Sequence, residues 1–160
     1  MKIHRLETQL WLPRPRQQVF AFFAEPRNLE RLTPAWLHFE FMTAVEGEVR
    51  QGTLLDYRLR LHGIPLRWQS EIAVWEPPER FVDRQTKGPY SMWVHEHTFD
   101  ERDGGTLVGD RVDYAVPGGR LVQKFFVAPD LQRIFRYRRH VLEGIFESDA
   151  RATVSEDDRR

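Results

Sequence analysis

The sequence of 160 residues contains no cysteine. A disulfide framework, a thiolate zinc site and a cysteine nucleophile are therefore excluded, and a reducing compartment is favoured. The sequence also lacks an apolar run long enough to cross a membrane, and its first residues do not show the apolar segment and small-residue cleavage site of a secretory signal. From these absences we expect a cytoplasmic protein without a membrane span.

The sequence also has no excess of positive or of negative charge. Lys plus Arg and Asp plus Glu both number 24, so the formal net charge is zero. No overall field attracts a polyanion, and we expect no nucleic-acid partner. The length corresponds to one domain whose core needs no metal or disulfide. We assign that domain to residues 1–150 and expect a polar, disordered tail at residues 151–160.

Aromatic residues, in contrast, are abundant. The sequence has 11 Phe, 5 Trp and 4 Tyr. Aromatic side chains line binding cavities as readily as they fill cores. Their number is the first indication of a small-molecule ligand.

Hydrophobic periodicity predicts the order of the secondary-structure elements. Alternation of apolar and polar residues from Ile3 to Leu12 predicts a first strand, and prolines then delimit two short helices, the first of which ends near Ala24. Residues 37–45 begin a series of six strand patterns, which indicates an antiparallel meander. Past Gly119 the pattern is helical, with an interruption at Pro129 where we expect a kink or two helices.

The last two strand patterns form a hairpin with polar residues on stripes that are otherwise apolar. The first strand places Trp93, His95, His97 and Phe99 on one face, and the second places Val108, Asp110, Val112, Tyr114 and Val116 on one face. The loop between them contains two glycines, which permit the chain reversal. Two histidines and an aspartate are therefore expected on the face that covers the core.

These polar residues have more than one chemical interpretation. His95 and His97 have the spacing of two metal ligands, but only Asp110 is suggested as a further ligand. Hydrogen-bonded histidines account for the pair, so we predict neither a metal nor a cofactor. Asp110 could instead orient an imidazole as a general base, within a polar cluster that includes Asp83.

Arg138 lies on the apolar stripe of the last helix, where a buried guanidinium requires an acidic partner. Asp110, Asp83 or Glu96 could form an ion pair with it. The alternative is that Arg138 binds the carboxylate or another polar head of a ligand. The ion pair is the simpler interpretation.

Several short motifs carry a resemblance to a known superfamily. They are Gly88-Pro89-Tyr90, Trp93 with His95 and His97, Gly105-Thr106, Asp110-Arg111 and Tyr137-Arg138-Arg139. With the order of elements, they make the chain resemble the SRPBCC superfamily, which includes START, Bet v 1-like and polyketide cyclase/dehydrase-like proteins. More narrowly, the chain is similar to a bacterial ligand-binding subgroup whose members are sometimes labelled cell division inhibitors. The resemblance extends over nearly all of the chain before the tail.

The resemblance implies an α+β helix-grip fold. In that fold a curved antiparallel sheet of about seven strands wraps around a long C-terminal helix, two short helices follow strand one, and a cavity lies between sheet and helix. We expect the cavity to bind a small hydrophobic or aromatic molecule, lipid- or polyketide-like. The residues expected to contact it are Tyr57, Trp68, Asp83, Trp93, His95, His97, Asp110, Tyr114, Phe125, Phe135 and Arg138.

Two other functions stay open beside binding without catalysis, which we favour. One is a cyclase- or dehydratase-type enzyme with His95, His97 and Asp110 as acid–base groups. The other is an interaction module for a partner enzyme, which would show an exposed apolar patch outside the cavity. A homodimer is also left open.

Overall fold

The computed structural model describes residues 1–157, with side chains for residues 1–147. Its sheet has seven strands: β1 His4–Leu12, β2 Glu40–Phe41, β3 Leu54–Leu61, β4 Ile64–Glu76, β5 Arg80–Lys87, β6 Met92–Arg102 and β7 Gly105–Ala115. The helical elements are α1 Arg16–Ala24, α2 Asn28–Arg31, a 3-10 turn Ala35–Leu37, α3 Gly119–Val122, a π segment Gln123–Val127 and α4 Ala128–Asp157. Residues 158–160 lie outside the described residues. The domain bounds 1–150 and the tail 151–160 stay predictions.

The strands form one antiparallel sheet in the order β1-β7-β6-β5-β4-β3-β2. Strands β2 to β7 are therefore neighbours in chain order, which confirms the predicted meander. Strand β1 pairs with β7 along its whole length, from His4 opposite Tyr114 to Leu12 opposite Thr106. With the long C-terminal helix, this sheet is the predicted helix-grip architecture.

The β6–β7 hairpin has a two-residue turn. Asp103 and Gly104 both have positive φ, at 50° and 75°, which is the conformation of the tight turns that match the twist of antiparallel strands. The strands continue up to this turn, so they are longer, and the loop is shorter, than the sequence suggested. The register places His97 opposite Asp110 and Trp93 opposite Tyr114, on a shared face.

The strand predicted for residues 37–45 is mostly wrong, since only Glu40 and Phe41 pair with β3. Leu37 closes the 3-10 turn and is buried, and His38 follows it with φ 47°. A left-handed residue breaks an extended strand, so regular pairing cannot begin at Leu37. The alternation over residues 37–45 reflects packing of Phe39 and Phe41 on Tyr57, not a long strand.

The interruption predicted at Pro129 takes the form of the π segment. The N–H of Ala128 bonds the carbonyl of Gln123, five residues earlier. Pro129 has no N–H for the carbonyl four residues before it, and its ring would clash with that carbonyl. A widened turn relieves the clash and lets the helix continue. No helix in the described part of the chain combines the length and hydropathy needed to cross a membrane.

Two apolar clusters cover the concave face of the sheet. The larger one contains Phe20 from α1, Phe81 and Phe99 from the strands and Phe146 from α4. The second contains Val112, Tyr114, Leu131 and Phe135, with Trp93 packed against it. Along β6 the order is Trp93, His95, His97, Phe99, so the two histidines lie between the clusters.

Truncation of Phe99 should be costly, because this side chain is 0% exposed and meets the rings of Phe20 and Phe23 at 5.1 and 5.2 Å. We expect Phe99→Ala to lower the free energy of unfolding by about 3–5 kcal/mol, measured by urea denaturation. Phe125→Ala is the matched control, since Phe125 is 61% exposed and should change stability by less than about 0.5 kcal/mol. Equal losses in both variants would contradict this packing.

Candidate ligand site

A cavity of about 200 Å³ lies between the sheet and α4. Most of its wall is apolar, contributed by α1, α2, strands β3 to β6 and α4. Of the residues predicted to contact a ligand, the wall includes Tyr57, Trp68, Asp83, Trp93, His95, His97, Phe135 and Arg138. The predicted inward face of β6 is therefore correct.

Three predicted residues do not line this cavity. Asp110 and Tyr114 are buried on β7, a strand that contributes no residue to the cavity wall. Phe125 points to solvent, together with Leu121 and Phe126, so its prediction as a cavity residue is wrong. Helical spacing alone could not show that this apolar stripe is left exposed. These exposed side chains leave the interaction-module hypothesis open.

An aromatic wall forms one side of the cavity. Tyr57 stacks on Trp68 with centroids 5.9 Å apart, and Trp93 meets the edge of Trp68 at 5.3 Å. Trp68 donates its Nε1–H to Ser70 Oγ over 3.1 Å, so this indole presents its apolar surface to the cavity. Burial raises the pKa of the Tyr57 hydroxyl, which is neutral at any physiological pH.

Sequence reasoning missed Tyr90 as a wall residue. Its ring packs on Trp93 at 4.8 Å and on Trp68 at 5.4 Å. Gln85 holds the loop in place by donating to the Tyr90 carbonyl over 2.8 Å and accepting from the Tyr90 N–H over 3.2 Å. Tyr90 lies in a loop, where periodicity carries no signal, and only the Gly88-Pro89-Tyr90 motif pointed to it.

Four polar side chains form a cluster between the aromatic wall and the larger core cluster. His95 Nε2 lies 2.7 Å from Asp110 Oδ1, and His97 Nε2 lies 2.8 Å from Asp83 Oδ2. Each imidazole reaches diagonally, because the sheet register places Asp83 opposite His95 and Asp110 opposite His97. The imidazole rings are 3.8 Å apart, and Phe81 stacks on His97 at 4.1 Å.

The two imidazoles have opposite pKa shifts. For His95, burial and the charge of His97 lower the pKa and outweigh the contacts with Asp110 and Asp83. For His97, burial also acts to lower the pKa, but the contacts with the carboxylates of Asp110 and Asp83 outweigh it and raise the pKa. The cluster therefore holds a proton more readily on His97 than on His95.

The two carboxylates are ionised. Burial opposes ionisation of Asp110, but the charge of Arg138, the hydrogen bond from His95 and the nearby His97 hold its pKa well below the ordinary value. Burial is likewise outweighed at Asp83, whose pKa is lowered by the hydrogen bond from His97 and by the nearby positive charges. Arg138 and a protonated His97 would together balance the two negative charges.

Arg138 is buried and only partly satisfied. Its Nη2 lies 3.5 Å from Asp110 Oδ1, and the guanidinium sits 5.3 Å from the Phe135 ring centroid. Nε and Nη2 have no hydrogen-bond partner among the described residues. The expected partner Asp110 is correct, but the contact is not bidentate. Glu96 pairs instead with Arg80 and Arg111.

A contact beside the cavity joins the β3–β4 turn to α4. His62 Nε2 lies 2.7 Å from Asp130 Oδ2, and the His62 ring meets the edge of Phe126 at 5.9 Å. Asp130 and Leu61 line the cavity. The turn and the first part of the helical region therefore meet at one end of the cavity.

The family described as polyketide cyclase / dehydrase and lipid transport matches residues 12–146 of the chain. The chain therefore belongs to this family, within the SRPBCC superfamily. A search of curated protein sequences finds no match.

Solved structures share the fold at low sequence identity. The Zhui aromatase/cyclase from Streptomyces sp. R1128 has a TM-score of 0.72 and 15% identity, over 95% of this chain and 98% of that one. Ginseng major latex-like protein 151 from Panax ginseng has a TM-score of 0.67 and 15% identity, over 90% and 97%. TTHA0849 from Thermus thermophilus has a TM-score of 0.69 and 18% identity, over 91% and 99%.

Removal of the Asp110 charge should destabilise the protein, because Arg138 and His97 would lose a buried counter-ion. We expect Asp110→Asn to lower the free energy of unfolding by about 3–5 kcal/mol in urea denaturation. Asp113→Asn, on the same strand, is the matched control: its partner Arg5 is half exposed, and surface pairs contribute about 0–1 kcal/mol. A loss at Asp113 as large as that at Asp110 would contradict the argument.

The contribution of His97 to stability should depend on pH. A raised pKa in the folded state means that the folded protein binds the proton more tightly than the unfolded chain does. The stabilisation by His97 is complete below the ordinary pKa of about 6.5 and is lost as pH rises through the raised pKa. We therefore expect the stability difference between wild type and His97→Gln to shrink from pH 6 to pH 9. Denaturation curves in which the difference grows with pH would contradict a raised pKa of His97.

Proposed function

We propose that the protein binds a small, flat, largely apolar molecule that carries one polar group, in the cavity between the sheet and α4. The observation that carries this proposal is that the cavity wall has two chemically different parts. One part is aromatic, and the other presents Arg138 with unpaired donors beside the Asp83–His95–His97 cluster. A purely structural core would leave few such donors without a partner.

Cavity size and charge indicate the class of ligand. A void of about 150 Å³ takes up benzene, so about 200 Å³ suits a one- or two-ring compound or a short acyl chain. The guanidinium of Arg138 favours an acceptor such as a carboxylate, a carbonyl or a phenolate oxygen. Lipid- or polyketide-like compounds of this size have both properties.

The affinity for 2-naphthoate tests the role of Arg138. The ring system should stack against the aromatic wall and quench the fluorescence of Trp68 or Trp93, which gives the readout. A hydrogen bond to a charged group contributes about 1.5–3 kcal/mol, so Arg138→Met should weaken binding about tenfold or more. Arg136→Met is the control, because Arg136 is exposed on the same helix. Equal affinities in the two variants would remove Arg138 from the site.

A second variant tests the cavity itself. Leu59 lines the cavity and is half-buried, so Leu59→Trp should fill the space without disrupting the fold. Native mass spectrometry of the purified wild type should show a small molecule that is lost on denaturation, and Leu59→Trp should carry none. Equal occupancy of both proteins would place the bound molecule elsewhere.

Catalysis of the cyclase or dehydratase type is a second candidate, and the opposite pKa shifts of His95 and His97 favour it. Adjacent groups with separated pKa values can act as a base and an acid in one site. The neutral His95 would remove a proton from a bound substrate, and the protonated His97 would donate one to the leaving oxygen. The likeness to the aromatase/cyclase is a likeness of fold alone.

The kinetic signature of this alternative is specific. Under it, His97→Ala abolishes turnover of a polyketide-like substrate and leaves the affinity for that substrate largely intact. A loss of affinity that accounts for the whole loss of turnover would count against acid–base catalysis. A cytoplasmic location and a homodimer remain predictions beside both functions.

A further inference from the structure

The polar cluster has an arrangement that neither ligand binding nor acid–base chemistry requires. Asp83, His95 and His97 each offer one ligand atom, and these three atoms lie within 4.8 Å of one another. The sequence alone suggested no third metal ligand other than Asp110. The structure supplies it from β5, where Asp83 lies directly opposite His95.

The distances identify which atoms face a common point. Asp83 Oδ2 lies 2.8 Å from His97 Nε2 and 3.8 Å from His95 Nδ1. Ligand atoms about 2.1 Å from a tetrahedral zinc ion are about 3.4 Å apart, a value between these two distances. To reach that geometry, the first pair would have to open by about 0.6 Å and the second to close by about 0.4 Å, while the third pair, His95 Nδ1 and His97 Nε2, lies within 4.8 Å.

Asp110 occupies the position of an outer-shell partner. Its Oδ1 lies 2.7 Å from His95 Nε2 and 3.3 Å from His97 Nδ1, the nitrogens that do not face Asp83. Histidine ligands of metals typically donate their second N–H to a carboxylate, which fixes the tautomer and the ring orientation. Here one carboxylate serves both rings, and Arg138 neutralises part of its charge. His97 Nδ1 is buried at this distance without a well-directed hydrogen bond, so its contact with Asp110 is electrostatic.

We infer that Asp83, His95 and His97 bind one divalent transition-metal ion through Asp83 Oδ2, His95 Nδ1 and His97 Nε2, with the remaining coordination positions open to the cavity. Two imidazoles and one carboxylate favour Fe²⁺, Co²⁺ or Zn²⁺ over Mg²⁺ and Ca²⁺, which prefer oxygen ligands. The ion would take the position between His97 Nε2 and Asp83 Oδ2 that a hydrogen bond occupies in the metal-free protein. The site does not depend on the proposed apolar ligand.

Titration calorimetry with Zn²⁺ on the full-length, metal-free protein tests this inference. We expect one ion per chain. Asp83→Asn and His97→Gln should each weaken binding at least about 100-fold. Asp110→Asn should weaken it about 10- to 100-fold, as outer-shell changes do. Mg²⁺ should not compete.

His62→Gln is the matched control, since it removes a different His–Asp pair, that of His62 and Asp130. It should leave Zn²⁺ binding unchanged. The absence of binding by wild type would overturn the inference, as would equal affinities of wild type and Asp83→Asn, or loss of binding in His62→Gln.

A measurement on the wild type covers the case in which a variant does not fold. Imidazole ¹⁵N spectra should show Zn²⁺-induced shifts at Nδ1 of His95 and Nε2 of His97. Shifts confined to other histidines would overturn the inference. Because 2-naphthoate binding is measured without metal, failure of the metal site and failure of the proposed function are distinguishable.

Discussion

The contact between Asp110 and Arg138 is the interaction on which the site depends. An ionised carboxylate in an apolar interior costs several kcal/mol unless it is paired and hydrogen-bonded. Asp110 is on β7 and Arg138 is on α4, so their attraction ties the long helix to the sheet at a defined height. That height determines how far α4 stands off the sheet and therefore the space left for a ligand. The same carboxylate orients both imidazoles.

Besides the charge of Arg138, the polar cluster can hold one more positive charge. A proton on His97, whose pKa is raised, can supply it, and a divalent ion would supply it with one further unit of charge. Ligand binding, proton transfer and metal binding are thus alternative uses of a single charge balance. The metal-bound state would have a higher affinity for an anionic ligand than the protonated state.

Much of the fold was predictable because strand alternation reports directly on burial. The inward face of Trp93, His95 and His97 follows from period two alone. The absence of a long strand at residues 37–45 and the exposure of Phe125 could not be predicted. The left-handed residue His38 leaves no periodic signal, and an exposed apolar stripe on a helix has the same spacing as a buried one. The grouping of Asp83 with the histidines depends on the pairing register of β5 and β6, which alternation does not specify.

The short β2 strand leaves most of one sheet edge uncovered. It pairs only with Tyr57 and Arg58 of β3, so other backbone groups along β3 have no strand beside them on that side. An open edge invites pairing with a second chain, and charged side chains along it oppose such growth. Arg58 is paired with Glu40 of β2, whereas Arg60 lies beyond that pairing, and an approaching copy would have to desolvate it. The edge is thereby protected against intermolecular sheet extension.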